Sequence, residues 1–170
     1  VRAEQSNIPT TVVDHRQFAS RDLFDVTLAE AIDKYEPALI VLAGFMRILG
    51  ADFVKRYQGK ILNIHPSLLP DYPGTNTHQR VLDAGEKLHG VSVHFVTEEL
   101  DGGPVIAQES ISIQSCDDVE SLAIKTHEKE HLLYPIVASW FTDGRLRLDG
   151  NDAFLDEQLL PVTGKQIDTA

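Results

Sequence analysis

Residues 38–46 read ALIVLAGFM, and after a polar stretch the run KILNI follows at 60–64. Residues 38–44 are apolar at every position, which predicts a strand buried on both faces. Residues 60–64 predict the next strand, interrupted by one polar residue, Asn63. A short helix is expected between them, near 50–57. Ahead of them, residues 20–36 predict a helix with Ser20 as N-cap and Pro37 just past its end. TTVV at 10–13 is a short β-branched run. The order helix, buried strand, helix, strand predicts a parallel α/β sheet.

The pattern then changes. A helix is expected from Thr75 to Ala84, closed by Gly85. GVSVHFV at 90–96 alternates, with Val91, Val93 and Phe95 on one face and Ser92, His94 and Val96 on the other. PVIAQESISI at 104–113 follows a tight DGGP link, so the two strands should pair antiparallel. A long helix should run from Asp117 to Phe141 and stop at Asp143-Gly144. RLRL adds a small strand, and the tail from Pro161 reads as loosely held. The sheet therefore begins parallel and ends antiparallel.

At 170 residues the chain suits one domain, 1–170, with a real core. Its formal net charge of −11 disfavours nucleic acid and anionic membrane surfaces as partners, while a local pocket can still oppose that field for a small anion. The single cysteine, Cys116, cannot form an intrachain disulfide, which points to a reducing, cytoplasmic setting, and it is expected to pack as a small hydrophobe. The longest apolar run is too short to span a bilayer, and the first residues have no signal-peptide character.

Candidate chemistry starts in ILNIHPSLLPDYPG, 61–74. Ile61, Asn63 and His65 share one strand face, and Pro66 stops the ladder. The amide and imidazole thus point the same way at a strand's carboxyl end, where ligands of open α/β sheets bind. The competing reading is a satisfied strand-end His beside a turn Asn. In EELDGGP, 98–104, Asp101 is either a turn residue bonded to its own backbone or a carboxylate partner for a histidine. Glu130 falls inside the apolar arc of the long helix, which favours a pocket-lining role over a buried structural pair. HEKEH at 127–131 fits zinc-hydrolase patterns, but both histidines fall on the polar shoulder of the helix and no third ligand is evident, so no metal is expected. His94 shares a face with Ser92 and is within reach of the site. His78 starts a helix, and His15 and His89 read as surface residues.

LAGFMRIL, ILNIHPSLLPDYPG, HGVSVHFVTEELDGGPVIAQ and EHLLYP, in that order over Thr11 to Phe141, resemble the phosphoribosylglycinamide formyltransferase family of purine biosynthesis. The resemblance implies a Rossmann-like parallel half and a folate-binding half. It implies the catalytic set Asn63, His65 and Asp101. It also implies a 10-formyltetrahydrofolate site from Arg21, Met46, Arg47, Ile48, Leu49 and Asn63 with the loop Thr97, Glu98, Glu99, Leu100 and Asp101. Glu130, with His127, would contact the amine-bearing substrate, glycinamide ribonucleotide. Members carry a first strand and a Gly-Ser-Asn-type loop for the substrate phosphate, and the chain reads as beginning after that unit.

The expected reaction is attack of the substrate amine on the formyl carbon, with Asn63 and protonated His65 stabilising the tetrahedral oxyanion and Asp101 holding His65. Rival readings are a formyltetrahydrofolate hydrolase with the same triad, an inactive folate-binding module, and a zinc peptidase resting on HEKEH alone.

Overall fold

The computed structural model describes residues 2–169. A four-residue helix α1 (Arg2–Gln5) and one 3-10 turn (His15–Gln17) precede the first long element. The Ser20 side chain accepts from the Leu23 backbone N–H and so starts α2 (Arg21–Asp33), as the sequence predicts. Strand β1 (Ile40–Leu42), helix α3 (Ala51–Arg56) and strand β2 (Ile61–His65) follow. Helix α4 (Thr77–Asp83) leads to the long strands β3 (Leu88–Phe95) and β4 (Val105–Ser112). Helix α5 (Val119–Thr142) starts in a capping box made by Asp118 and Ser121, which satisfies two backbone donors reciprocally.

The main sheet has the order β1-β2-β3-β4-β8, where β8 is Lys165–Gln166. Strand β1 pairs parallel with β2, while β2 with β3 and β3 with β4 are antiparallel. The switch from parallel to antiparallel expected from the sequence is therefore real, and it falls at β2. Two apolar layers cover the sheet. On one face Leu62, Val91, Val93 and Phe95 pack with Leu133, Val137 and Trp140 of α5. On the other, Ile61 packs with Ala29 of α2 and Phe53 and Val54 of α3. This second face is also the side of Asn63 and His65, because side chains alternate along β2.

Three expectations are corrected. The 38–44 run is not a strand buried on both faces: β1 is three residues long and Val41 is 47% exposed. Helix α5 packs chiefly over β3 and β4 and so leaves the outer strand uncovered. Cys116 is exposed, because it sits in the polar turn ahead of the α5 capping box. The tail beyond Pro161 is tied down: β8 pairs parallel with β4, and Thr169 bonds to Glu109 through both its backbone N–H and its hydroxyl. Glu109 is buried, and Lys129 Nζ lies 2.6 Å from it. Burial alone would push its carboxyl up, but Lys129 and Thr169 outweigh burial and hold it below the usual range. RLRL grows into a separate antiparallel sheet of β5 (Leu146–Asp149), β6 (Asp152–Leu155) and β7 (Gln158–Leu159).

One buried hydroxyl joins α5 to the carboxyl end of β1. Tyr134 Oη lies 2.9 Å from the Leu42 carbonyl and 2.8 Å from the Leu62 carbonyl, and its single proton serves both. Tyr134→Phe removes that proton without changing the packing. The expected loss is about 1–2 kcal/mol, read from urea midpoints at constant slope. A loss below about 0.3 kcal/mol would show that the hydroxyl does not hold the strands to the helix.

Candidate active site

The parallel pair β1 and β2 both end at one edge of the sheet, and a cavity opens there. Its wall includes Leu42 from β1, Asn63 from β2 and His94 from β3, closed by residues 47–49 and 96–101. Register explains the meeting of Asn63 and His94. They are directly paired across β2 and β3, as are His65 and Ser92, so each pair shares a face. The pairing of β3 with β4 shifts between Val93 and His94, an irregularity that bends a strand and re-aims the next side chain.

Asp101 is the hub. It has φ +51°, a left-handed conformation that an Asp tolerates better than a branched residue. Its Oδ2 accepts from the Gly74 backbone N–H at 2.8 Å and lies 3.5 Å from His65 Nδ1. Its Oδ1 lies 3.8 Å from His94 Nε2. The carboxylate thus touches the 66–76 loop, β2 and β3 at once. The turn that delivers it depends on Gly103: a Cβ there would come within 1.8 Å of the Phe95 carbonyl oxygen. Glycine is the residue that permits so close a backbone approach.

His65 is buried. Its Nε2 donates to the Tyr72 carbonyl at 3.0 Å, and its Nδ1 faces Asp101. Both ring nitrogens therefore face oxygen acceptors, the arrangement that an imidazolium satisfies in full. His65 is adjacent to Asp101 of the cavity wall but does not itself line the cavity. Below it a buried polar cluster holds the 66–76 loop: Ser92 Oγ donates to the Ser67 carbonyl, Leu69 N–H donates to Ser92 Oγ, and Gln108 Nε2 donates to the Leu69 carbonyl.

Among the residues expected around a folate, Arg47, Ile48, Leu49, Asn63 and Thr97 to Asp101 line this cavity. Arg21 and Met46 do not. Arg21 sits at the start of α2 beside Asp22, and Met46 is 80% exposed. Leu42, Phe45, Val54 and Val96 also line the wall, and only their apolar character marked them in the sequence. The cavity measures about 80 Å³ and shares Val54 and residues 96–99 with a neighbouring one of about 470 Å³ that reaches Lys55, Gln58 and Asn151. The first alone is smaller than the roughly 300 Å³ that encloses a drug-sized ligand, and the second is larger.

Glu130 and His127 lie outside this cavity. Glu130 Oε2 accepts from His127 Nδ1 at 3.0 Å, and among the described residues no Arg or Lys forms an ion pair with it. His127 and His131 are exposed, with ring centroids 4.1 Å apart. Glu130 acts on His78 of α4 through space, opposing the burial that lowers the His78 pKa. His89, read from the sequence as a surface residue, is 1% exposed. Its Nε2 is 2.9 Å from His78 Nδ1, and its own Nδ1 has no hydrogen-bond partner among the described residues. Alternation along β3 places it inside, a signal that the flanking charged residues masked.

The formyl transferase family profile matches residues 1–138. The chain is 49% identical to the phosphoribosylglycinamide formyltransferase of Escherichia coli (strain K12), over 98% of this chain and 79% of that one. It superimposes on the phosphoribosylglycinamide formyltransferase structure from Coxiella burnetii with a TM-score of 0.93 and 52% identity, covering 98% of this chain and 79% of that one. A formyltetrahydrofolate deformylase structure from Pseudomonas syringae pv. tomato is more distant, with a TM-score of 0.83 and 25% identity over 91% of this chain and 51% of that one.

Burial holds the His89 imidazole well below its ordinary 6.5, at about 4, with His78 and His65 adding to the effect. Because the folded value is depressed, its contribution to stability is full above pH 6.5 and is lost as pH falls from 6.5 towards 4. The loss amounts to about 3 kcal/mol at most. Urea midpoints at pH 7 and pH 4.5 should differ less in His89→Gln than in the wild type. Equal drops in both proteins would assign the acid sensitivity to other groups.

Proposed function

This chain belongs to the formyl transferase family, and we propose that it moves the formyl group of 10-formyltetrahydrofolate to the amine of glycinamide ribonucleotide in purine biosynthesis. The observation that carries the reading is the convergence of Asn63, His65 and Asp101 at the carboxyl ends of β1 and β2, beside a cavity lined by residues 47–49 and 96–101. The close relatives are supporting context, since their names give this activity. The lone, unpaired cysteine agrees with a cytoplasmic enzyme.

In this proposal the folate lies in the cavity against Arg47, Ile48 and Leu49 and extends towards its larger neighbour. The amine attacks the formyl carbon, and an oxyanion develops on the formyl oxygen. The Asn63 amide faces the cavity and donates to that oxygen. His65 becomes the second donor when its Nε2–H turns from the Tyr72 carbonyl to the substrate; such bonds are commonly unformed before the substrate arrives. Asp101 orients His65 and balances its charge. Donors fixed in a site from which water is excluded stabilise developing charge without reorganising, which is why they are effective. As the tetrahedral intermediate collapses, the bond from the formyl carbon to N10 breaks, the proton given up by the attacking amine passes to N10, and tetrahydrofolate leaves. No covalent enzyme intermediate is needed, because a primary amine is already nucleophilic. Glu130 and His127 are proposed to meet the amine-bearing substrate.

The test follows both products. With 10-formyltetrahydrofolate alone the protein should release little formate, and adding glycinamide ribonucleotide should release tetrahydrofolate in step with formylated nucleotide. Formate release that ignores the nucleotide would instead select a hydrolase. Asn63→Ala should lower kcat by about 10²–10³-fold, the loss expected for one oxyanion donor. A loss below about 5-fold would remove Asn63 from the mechanism.

A further inference from the structure

The His94 ring is 2% exposed, and its two nitrogens have partners that together define its protonation. Nδ1 lies 2.8 Å from the Phe95 carbonyl oxygen, and a carbonyl only accepts, so Nδ1 carries a proton. Nε2 lies 3.1 Å from Asn63 Nδ2, and an amide nitrogen only donates, so Nε2 carries none. The neutral Nδ1–H tautomer meets both demands. Turning the Asn63 amide over would place its oxygen against Nε2, which would then need a second proton and a buried cation. The charged groups facing the ring are Asp101, 3.8 Å from Nε2, and His65. Burial pushes the His94 pKa down and outweighs the Phe95 bond and Asp101, which act upward, while His65 adds to the depression.

A carboxamide nitrogen has two hydrogens. One is engaged by His94, and Asn63, His94 and Asp101 all border the same cavity. From this geometry we infer that neutral His94 is a positioning residue: it accepts one Asn63 N–H and thereby fixes the amide so that the other N–H, and not the carbonyl oxygen, is presented to the reacting formyl oxygen. This rests on the formyl-transfer reading above. The opposite amide orientation would set a lone pair against a developing negative charge. Direct pairing of Asn63 with His94 and the register shift beside His94 supply the geometry.

Two substitutions separate the ring's two contacts. In His94→Gln the side-chain amide reaches the position of Nε2, so an acceptor for Asn63 is kept and the donor to Phe95 is lost. In His94→Asn the donor to Phe95 is kept and the acceptor for Asn63 is lost. After thermal unfolding confirms that both are folded, His94→Asn should lose about 10²-fold in kcat with the KM for 10-formyltetrahydrofolate little changed, the loss expected for a misplaced catalytic group. His94→Gln should recover most of that loss. Equal losses, or no loss in His94→Asn, would overturn the inference. Nitrogen-15 spectra of histidine-labelled wild-type protein at pH 7 give an independent reading that needs no turnover. They should show His94 neutral with the proton on Nδ1, and a charged ring or an Nε2–H tautomer would overturn the inference even in an active enzyme. If either variant is unfolded, the spectra decide alone. A wild type with this tautomer but no formyl transfer would refute the proposed reaction and leave the ring assignment standing.

Discussion

The Asp101 carboxylate is the point at which the rest of the site is assembled. It lies between two buried imidazoles, and it also caps the Gly74 N–H of the 66–76 loop. A carboxylate with a 10% exposed side chain is costly unless donors surround it, and here the Gly74 N–H and His65 Nδ1 face it. The cost explains the local architecture. A left-handed residue precedes two glycines, and Gly103 passes against the Phe95 carbonyl, so the turn brings Asp101 to the strand ends and not into solvent.

The two imidazoles beside Asp101 are held differently. His65 faces oxygens at both nitrogens, whereas His94 faces one acceptor and one donor. The first arrangement accommodates an imidazolium and the second a neutral ring. Two like rings near one carboxylate thus take separate roles through their hydrogen-bond partners, and the amide between strand and cavity takes its orientation from the second ring. The same logic places a third buried histidine, His89, as a neutral group whose cost appears only in acid.

Much of this was legible in the chain. The strand-end position of Asn63 and His65 followed from alternation and from Pro66, and the antiparallel β3–β4 pair followed from the short DGGP link. The N-caps Ser20 and Asp118 lie within one residue of where composition placed the helix starts. What failed has a common cause. Exposure of Val41 and anchoring of the tail depend on which distant element covers a position, and periodicity describes only the segment itself. The tail's hold on Glu109 spans 60 residues and rests on Thr169, a residue with no local pattern to mark it. Likewise the split of the expected folate residues, with Arg47 to Leu49 in the wall and Met46 turned outward, arises in a loop where no period applies.

The central claim is that Asp101 and His65 act as one unit. A double-mutant cycle on kcat tests it most directly, with Asp101→Asn, His65→Gln and the combined variant measured at saturating substrates. Residues that act together are non-additive, because the second substitution removes nothing that the first has left working. The account predicts that the double variant loses no more than the worse of the two single variants. Losses that multiply across the cycle would show that the carboxylate and the imidazole work independently, and would contradict it.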